Sequence, residues 1–233
     1  NWNTLMFDKN DVPESNRRGG LFDMDGLLIN SEPFWASVEK EVFSDLGITL
    51  TDAMCRDTQG LRVIEVVQYW YSRYPWGAQN TVDDVKNRII NGVREQILAN
   101  GVLMPGVLHV MELLARNNFT LAIASSSPVS LIRAVISKFH LNEFIQSHVS
   151  AEDCSLGKPY PDVYLTAASM IDIPPGACFA FEDSSTGIKS ASAAGATVVA
   201  VPENQLPDDV ARLCHLQLNS LNDFNDSFLS LLV

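Results

Sequence analysis

Two aspartates two positions apart follow a short apolar pair near the start of the chain. The segment LFDMDG at residues 21–26 places Asp23 and Asp25 before Gly26, which permits a sharp turn. Carboxylates paired in this way can act as a nucleophile, as a general acid/base or as ligands of a hard cation. The segment alone is equally typical of a surface turn, so its meaning depends on the rest of the chain.

Three consecutive hydroxyl groups, those of Ser125, Ser126 and Ser127, directly follow the apolar run at residues 121–124. Hydroxyls and free N–H groups at the mouth of a strand can bind a phosphate. The same serines also suit a helix N-cap before Val129, and the two roles are compatible.

Two further sites carry charge. Lys158 precedes a proline and is therefore expected in extended backbone, although a lone lysine is usually a solvated surface residue. Glu182 and Asp183 follow the apolar run at residues 177–181 and could ligate Mg²⁺. Adjacent acids are also typical of a helix N-terminus, where they favour the positive end of the dipole.

The elements that must position these residues alternate after Pro105. We predict strands at residues 119–124, 177–181 and 197–201, and helices at 131–139, 163–170 and 185–194. This alternation indicates an α/β fold with a mainly parallel sheet, where ligands bind outside the carboxyl ends of the strands. The intervals from Ser125 to Lys158 and from Lys158 to Asp183 each fit one helix and one strand. All four polar sites are therefore expected at one sheet edge.

The interval between Asp23 and Ser125 is too long for a single crossover helix. Apolar residues recur at three- and four-residue spacing over residues 34–46, 63–74 and 82–97, and the last run follows the capping box of Thr81 and Asp84. We therefore predict an all-helical insert over residues 32–103, with the core formed by residues 21–31 and 104–233. Residues 1–20 are predicted to be a poorly structured lead, because residues 8–20 are polar and end in Gly19 and Gly20.

Together the four motifs resemble those of the haloacid dehalogenase-like hydrolases, and the resemblance extends from Leu21 to about Val201. It implies a Rossmann-like, doubly wound parallel sheet core with an inserted all-helical cap domain. Residues 22–29 and 31–33 resemble more closely the bacterial 2-deoxyglucose-6-phosphate (hexitol phosphate) phosphatases. Asn30 departs from the aspartate common in relatives, and we expect an altered charge near the site but retained chemistry.

The resemblance also implies roles for individual residues. Asp23 would be the nucleophile and Asp25 the general acid/base, while Lys158 would hold the phosphate and keep Asp23 ionised. The phosphate would also bind Ser125, Ser126 and Ser127. Within the insert, Gly60 permits close backbone approach and Arg62 offers several donors, so we expect these two residues to contact the substrate, although Arg62 also suits an ordinary surface position near a helix start. The expected cofactor is Mg²⁺, held by Asp23, the backbone carbonyl of Asp25 and Asp183, with Glu182 acting indirectly or through water.

Composition excludes several other classes of function. The chain has 16 Lys and Arg against 28 Asp and Glu, a net charge of −12, which fits neither nucleic acid nor an anionic membrane as partner. No apolar run spans a bilayer and no secretory signal is recognised. The cysteines, Cys55, Cys154, Cys178 and Cys214, show no zinc-ligand spacing, so we expect free thiols and a cytoplasmic location.

The predicted function is Mg²⁺-dependent hydrolysis of a small phosphorylated metabolite, a sugar or sugar-alcohol phosphate, through an aspartyl phosphate. One alternative is a sugar phosphomutase similar to β-phosphoglucomutase, which shares all four motifs. A dehalogenase is disfavoured because a leaving halide needs no acid at Asp25. A non-catalytic phosphate-binding module is the alternative from a different class.

Overall fold

A single six-stranded parallel sheet forms the centre of the molecule, in the order β3-β2-β1-β4-β5-β6. The structure, a computed structural model, describes residues 17–232. The strands are β1 (Arg18–Phe22), β2 (Phe119–Ser125), β3 (Ile145–Ser150), β4 (Cys178–Glu182), β5 (Thr197–Ala200) and β6 (Leu216–Gln217). The predicted α/β fold with a doubly wound sheet is confirmed.

The first strand begins earlier than the sequence predicts. Residues 1–16 of the predicted lead lie outside the described part of the chain, but Gly19 and Gly20 belong to β1 and pair with both β2 and β4. The assignment of these two glycines to the lead is therefore wrong. A Cβ atom at Gly20 would lie 2.7 Å from a methyl group of Leu121, and one at Gly19 would lie 2.5 Å from Sγ of Cys178. Neighbouring side chains already fill the space on both faces of the strand, so packing overrides the low strand propensity of glycine.

Alternate strand residues divide the core between the two faces of the sheet. Phe22, Ile123 and Phe181 belong to one apolar cluster, whereas Leu21 and Ala180 belong to the other. The helices that cover the sheet are α5 (Val107–Arg116), α6 (Val129–Lys138), α7 (Asp162–Met170), α8 (Ser185–Ala193) and α9 (Asp208–Ala211). Residues of α5 and α6 join the first cluster and residues of α7 and α8 the second, so both faces are buried, as a parallel sheet requires.

Between β1 and β2, four helices precede α5, and no strand of the sheet occurs in this described interval. They are α1 (Glu32–Asp45), α2 (Asp52–Asp57), α3 (Val63–Arg73) and α4 (Val82–Asn100). The predicted capping box of α4 is present, with the Thr81 and Asp84 side chains bonded reciprocally to each other's backbone N–H groups. Over residues 17–232, no helix combines the length and apolarity needed to cross a membrane.

Candidate active site

The polar residues predicted to act together meet at the carboxyl ends of the central strands. Asp23 directly follows β1, Ser125 ends β2 and Glu182 ends β4. The backbone N–H of Asp23 donates to the carbonyl of Phe181 across 3.0 Å, which fixes the end of β1 against β4. The loop after β3 brings Lys158 to the same edge.

Lys158 bridges two carboxylates. Its Nζ lies 2.7 Å from Oδ1 of Asp23 and 2.5 Å from Oε1 of Glu182, and its side chain is buried. Burial alone would lower the pKa of Lys158, but the charges of the two carboxylates outweigh it and hold that pKa above its ordinary value. The lysine is therefore a fixed cation at the end of the sheet.

Glu182 orients that cation. Its Oε1 also accepts a hydrogen bond from the Tyr164 hydroxyl at 2.6 Å. Its Oε2 accepts bonds from the backbone N–H groups of Asp183 and Ser184 and from the Ser184 hydroxyl. Since donors of the chain occupy both oxygens, Glu182 has little capacity left to ligate a metal directly.

Asp23, Glu182 and Asp183 form a group that could hold a divalent cation, with one oxygen from each lying within 4.8 Å of the others. Burial, the largest cause, raises the pKa of Asp23 to about 8. Lys158 opposes the shift, and Glu182 and Asp25 add to it. Burial and the neighbouring charges of Glu182 and Asp23 raise the pKa of Asp183 well above its usual range. The single positive charge of Lys158 does not neutralise the three carboxylates of Asp23, Glu182 and Asp183.

The donor set fits a hard dication. Oδ1 of Asp183 is buried and has no hydrogen-bond partner among the residues described, and carboxylate oxygens are ligands that Mg²⁺ prefers. Gly26 permits the approach of this side chain, because it has a φ of 80° and a Cβ atom there would collide with Oδ2 of Asp183. The turn glycine of the first motif therefore keeps space open beside a candidate ligand.

Asp25 is held by donors from two parts of the chain. Its Oδ1 accepts bonds from the Ser31 hydroxyl at 2.6 Å and from Nε1 of Trp35 at 2.9 Å. Its Oδ2 accepts from the hydroxyls of Ser127 at 2.6 Å and Ser125 at 3.4 Å. The first and second motifs and the start of α1 are thus tied together through one carboxylate.

The serine segment after β2 offers further phosphate ligands. Oγ of Ser126 is buried without a partner in the described structure, and Ser126 and Ser127 line a cavity together with Lys158. Ser125 lies beneath them, fully buried, and its Oγ accepts the backbone N–H of Ser127.

This cavity, which we call the acidic cavity, has a volume of about 670 Å³ and lies between the sheet edge and helices α1 and α2. Its acidic lining residues are Asp23, Asp25, Glu32, Glu39, Asp52, Asp57, Asp183 and Glu203. Its basic lining residues are Arg56 and Lys158. Acidic groups therefore dominate the wall away from Lys158, where Arg56 is exposed and lies close to Asp52.

Of the two predicted cap contacts, Gly60 lines the acidic cavity but Arg62 is not among the lining residues. Arg62 pairs with Glu65 at 2.6 Å, and its Nη1 donates to the carbonyl of Cys154 across 3.5 Å. Its Nε approaches Gly157 closely, at 3.1 Å from where a Cβ atom would lie. The side chain of Arg62 thus contacts the loop that carries Lys158, and its contact with the substrate stays a prediction.

Several residues of the site are missed by sequence reasoning. Ser31 and Trp35 donate hydrogen bonds to Asp25, and Tyr164 donates one to Glu182. The sequence pattern predicts Trp35 only as one of the apolar residues on a helix face. Glu39, in the cavity wall, carries no motif at all. The one available signal is spacing, because Ser31, Trp35 and Glu39 succeed one another at four-residue intervals and so share a helix face.

Comparisons with known proteins agree with this arrangement. The family model described as haloacid dehalogenase-like hydrolase matches residues 21–201. Hexitol phosphatase B of Escherichia coli O157:H7 is 35% identical over 208 residues, which cover 87% of this chain and 92% of that protein. The protein of Drosophila melanogaster described as "Probable pseudouridine-5'-phosphatase" is 27% identical over 210 residues, covering 88% of this chain and 90% of its own. The crystal structure of β-phosphoglucomutase from Clostridium difficile shares the fold, with a TM-score of 0.79 at 17% identity over 93% of this chain and 96% of its own.

Proposed function

The chain belongs to the haloacid dehalogenase-like hydrolases, and from this membership we propose that it is a Mg²⁺-dependent phosphatase. Its substrate is a small sugar or sugar-alcohol phosphate, and the reaction passes through an aspartyl phosphate on Asp23. The similarity to hexitol phosphatase B, a relative named for phosphatase activity, supports the reaction class.

One observation carries the proposal: a single cavity combines a phosphate-binding end with an acidic opposite wall. At the first end lie Lys158, Ser126 and Ser127 beside the carboxylates of Asp23 and Asp25. The opposite wall suits an uncharged group that donates hydrogen bonds, and the hydroxyl-rich carbon chain of a sugar alcohol is such a group.

The residues of the chain divide the reaction between them. Lys158 and the serine segment bind the phosphate oxygens and orient phosphorus toward Asp23. An oxygen of Asp23 then forms a bond to phosphorus while the bond from phosphorus to the substrate oxygen breaks. Asp25 gives a proton to that leaving oxygen, and it later takes a proton from the water that releases inorganic phosphate from Asp23. Ser31 and Trp35 hold Asp25 in place for both transfers.

Asp23, Asp183 and the backbone carbonyl of Asp25 would hold Mg²⁺, and Glu182 would act indirectly by orienting Lys158. When bound, Mg²⁺ neutralises the negative charge that keeps a phosphate ester and a carboxylate apart. The partnerless Oδ1 of Asp183 and the raised pKa of Asp23 support this set of ligands.

Residues 32–103 act in this proposal as a cap that closes the site to water and contacts the carbon chain of the substrate. The position of Glu32, Trp35 and Gly60 in the cavity wall supports such a role. The four cysteines are free thiols, which suits the cytoplasmic location that we also propose.

A phosphomutase would need this cavity to accept a second phosphate group at the end away from Lys158. The carboxylates of Glu32, Glu39 and Asp57 in the lining would repel that group. The electrostatics therefore favour hydrolysis over transfer to a second position of the sugar.

The test measures phosphate release from a panel of sugar and sugar-alcohol phosphates, with Mg²⁺ and with EDTA. We expect turnover of at least one hexitol phosphate, dependent on Mg²⁺ and abolished by Asp23→Asn. The same protein is incubated with a hexose 1-phosphate and its bisphosphate, where a mutase would form hexose 6-phosphate with little free phosphate. Phosphate binding without turnover of any ester would instead support the non-catalytic module.

A further inference from the structure

One face of α1 leads from the reacting groups into the far part of the acidic cavity. Glu32, Trp35, Ala36 and Glu39 all line the cavity, and their spacing of three and four residues places them on one side of the helix. Trp35 is bonded to Asp25, and Glu39 lies four residues further on, about 6 Å along the helix axis. A molecule that extends from Asp25 along α1 would therefore reach Glu39 after passing Trp35.

Glu39 is a buried acid without an adequate partner. The residue is 6% exposed, and Oε2 has no hydrogen-bond partner within residues 17–232. The Cys55 thiol is a hydrogen-bonding neighbour, but a thiol is a weak donor. Lys40, the adjacent cation, pairs with Asp52 instead.

A carboxylate in this position costs free energy unless something supplies donors to it. An apolar residue or a glutamine of similar volume would pack in the same place at lower cost. Because the two oxygens of a carboxylate exchange by rotation about the last side-chain bond, either one can turn toward the cavity. A molecule inside the cavity could thus provide the hydrogen-bond donors that the Glu39 carboxylate lacks.

We propose that Glu39 is a specificity-determining residue that accepts hydrogen bonds from hydroxyl groups on the substrate carbon chain, at the end remote from the phosphate. This inference rests on the proposed phosphatase function and specifies the part of the substrate that Glu39 recognises. The acidic residues on this side outnumber the single basic residue, Arg56, and therefore disfavour a second phosphate or a carboxylate as the recognised group. Hydroxyls donate without bringing negative charge, so a long polyol phosphate fits best and a three-carbon phosphate ends before Glu39.

The test compares Glu39→Gln and Glu39→Leu with Glu41→Gln, a control on the exposed side of the same helix. The substrates are a hexitol 6-phosphate, glycerol 3-phosphate and p-nitrophenyl phosphate. For the hexitol phosphate we expect kcat/KM to fall about fivefold with glutamine, which still accepts a hydrogen bond, and at least tenfold with leucine. The other two substrates should change by less than about twofold, as should every substrate with the control variant.

Equal losses on all three substrates would assign Glu39 to folding or cap closure and overturn the proposal, as would an unchanged hexitol phosphate reaction. If an amino group in place of a substrate hydroxyl raised kcat/KM, and Glu39→Gln abolished that increase, recognition of hydroxyl groups by Glu39 would be overturned. Thermal unfolding verifies that each variant folds, and the glutamine variant keeps the test valid if the leucine variant does not fold. If wild-type protein hydrolyses none of the esters, the phosphatase function itself fails, whereas intact hydrolysis without chain-length dependence removes only the role of Glu39.

Discussion

The indole Nε1 of Trp35 donates a hydrogen bond to Oδ1 of Asp25 across 2.9 Å. The two residues come from different elements, since Asp25 lies in the turn after β1 and Trp35 is the fourth residue of α1, at the end of its first turn. The first helix of the insert therefore touches the proposed acid/base directly, and any displacement of α1 also removes a donor from that carboxylate.

Trp35→Phe should lower kcat while leaving KM for the phosphate ester nearly unchanged. The variant keeps an aromatic ring but loses the donor, and a hydrogen bond to a charged group contributes about 1.5–3 kcal/mol. A loss of that size in the transition state slows turnover roughly 10- to 100-fold. Steady-state kinetics with the preferred substrate measure it.

The matched control is Trp76→Phe. Nε1 of Trp76 donates to the carbonyl of Asn80, also across 2.9 Å, but within the helical insert and away from Asp25. An equal fall in kcat for both variants would mean that Trp35 acts through the stability of the insert.

Asp183→Asn should separate metal binding from folding. An amide at this position relieves repulsion within the cluster of Asp23, Glu182 and Asp183, so we expect the metal-free variant to unfold at or above the wild-type temperature. Mg²⁺ should stabilise the wild type in proportion to the logarithm of its concentration above Kd, and the variant much less. Thermal unfolding in EDTA and in a series of Mg²⁺ concentrations gives both readouts, and identical Mg²⁺ stabilisation of the two proteins would remove Asp183 from the ligand set.

The sequence predicts the alternation of strands and helices because strongly apolar strands and amphipathic helices have distinct periods. Strand β3 (Ile145–Ser150) is predicted only as a strand somewhere between Ser125 and Lys158, since it contains Gln146, Ser147 and His148 and has no continuous apolar run. Gly19 and Gly20 are not predicted as strand residues, because glycine has low strand propensity. They lie in a strand because of packing against residues that are distant in the sequence.

In the site, Ser125, Glu182 and Asp183 are predictable because they follow predicted strands, whereas Asp23 and Lys158 are predictable only from their motifs. The orientation of the side chains cannot be predicted from the sequence, because it depends on tertiary contacts. Arg62 illustrates the difference: the pairing with Glu65 is a local i, i+3 contact, but the contact with the Cys154 carbonyl exists only once the insert lies against the core. The lack of a hydrogen-bond partner for Oε2 of Glu39 among the described residues is likewise a result of packing, and no sequence pattern predicts it.

Gly60→Ala should impair catalysis beyond its effect on stability. Gly60 has a φ of 80°, and a Cβ atom there would lie 2.7 Å from Oγ1 of Thr186 in the first turn of α8. The substitution adds backbone strain of about 1–2 kcal/mol and also pushes the insert away from the sheet edge. We expect kcat/KM to fall roughly three- to tenfold, measured beside the unfolding temperature.

Gly47→Ala provides the matched control for that experiment. Gly47 also has a φ of 80°, but a Cβ atom there would meet no neighbour within 4 Å. Both variants should lose similar stability, and only Gly60→Ala should lose activity. Equal activity in the two variants would show that the approach of Gly60 to Thr186 has no part in turnover.

Glu39→Gln should become more stable relative to the wild type as the pH rises. Burial, assisted by the charge of Glu32 and opposed by the Cys55 hydrogen bond, raises the pKa of Glu39 to about 7 in the folded protein, against an ordinary value of 4.5. The protonated form is therefore favoured by folding, and that stabilisation is complete below pH 4.5 and lost as the pH passes through 7.

This pKa shift corresponds to a loss of about 3 kcal/mol in the free energy of unfolding of the wild type between pH 4 and pH 8. The glutamine variant has no group that titrates at this position and so does not lose this stability. Urea unfolding at several pH values should show the stability difference between Glu39→Gln and wild type moving in favour of the variant across this window. The exposed Glu41→Gln variant should show a difference that does not depend on pH. A stability difference for Glu39→Gln that is constant from pH 4 to pH 8 would mean that folding does not perturb this carboxyl group, and it would remove the energetic reason for assigning Glu39 a functional role.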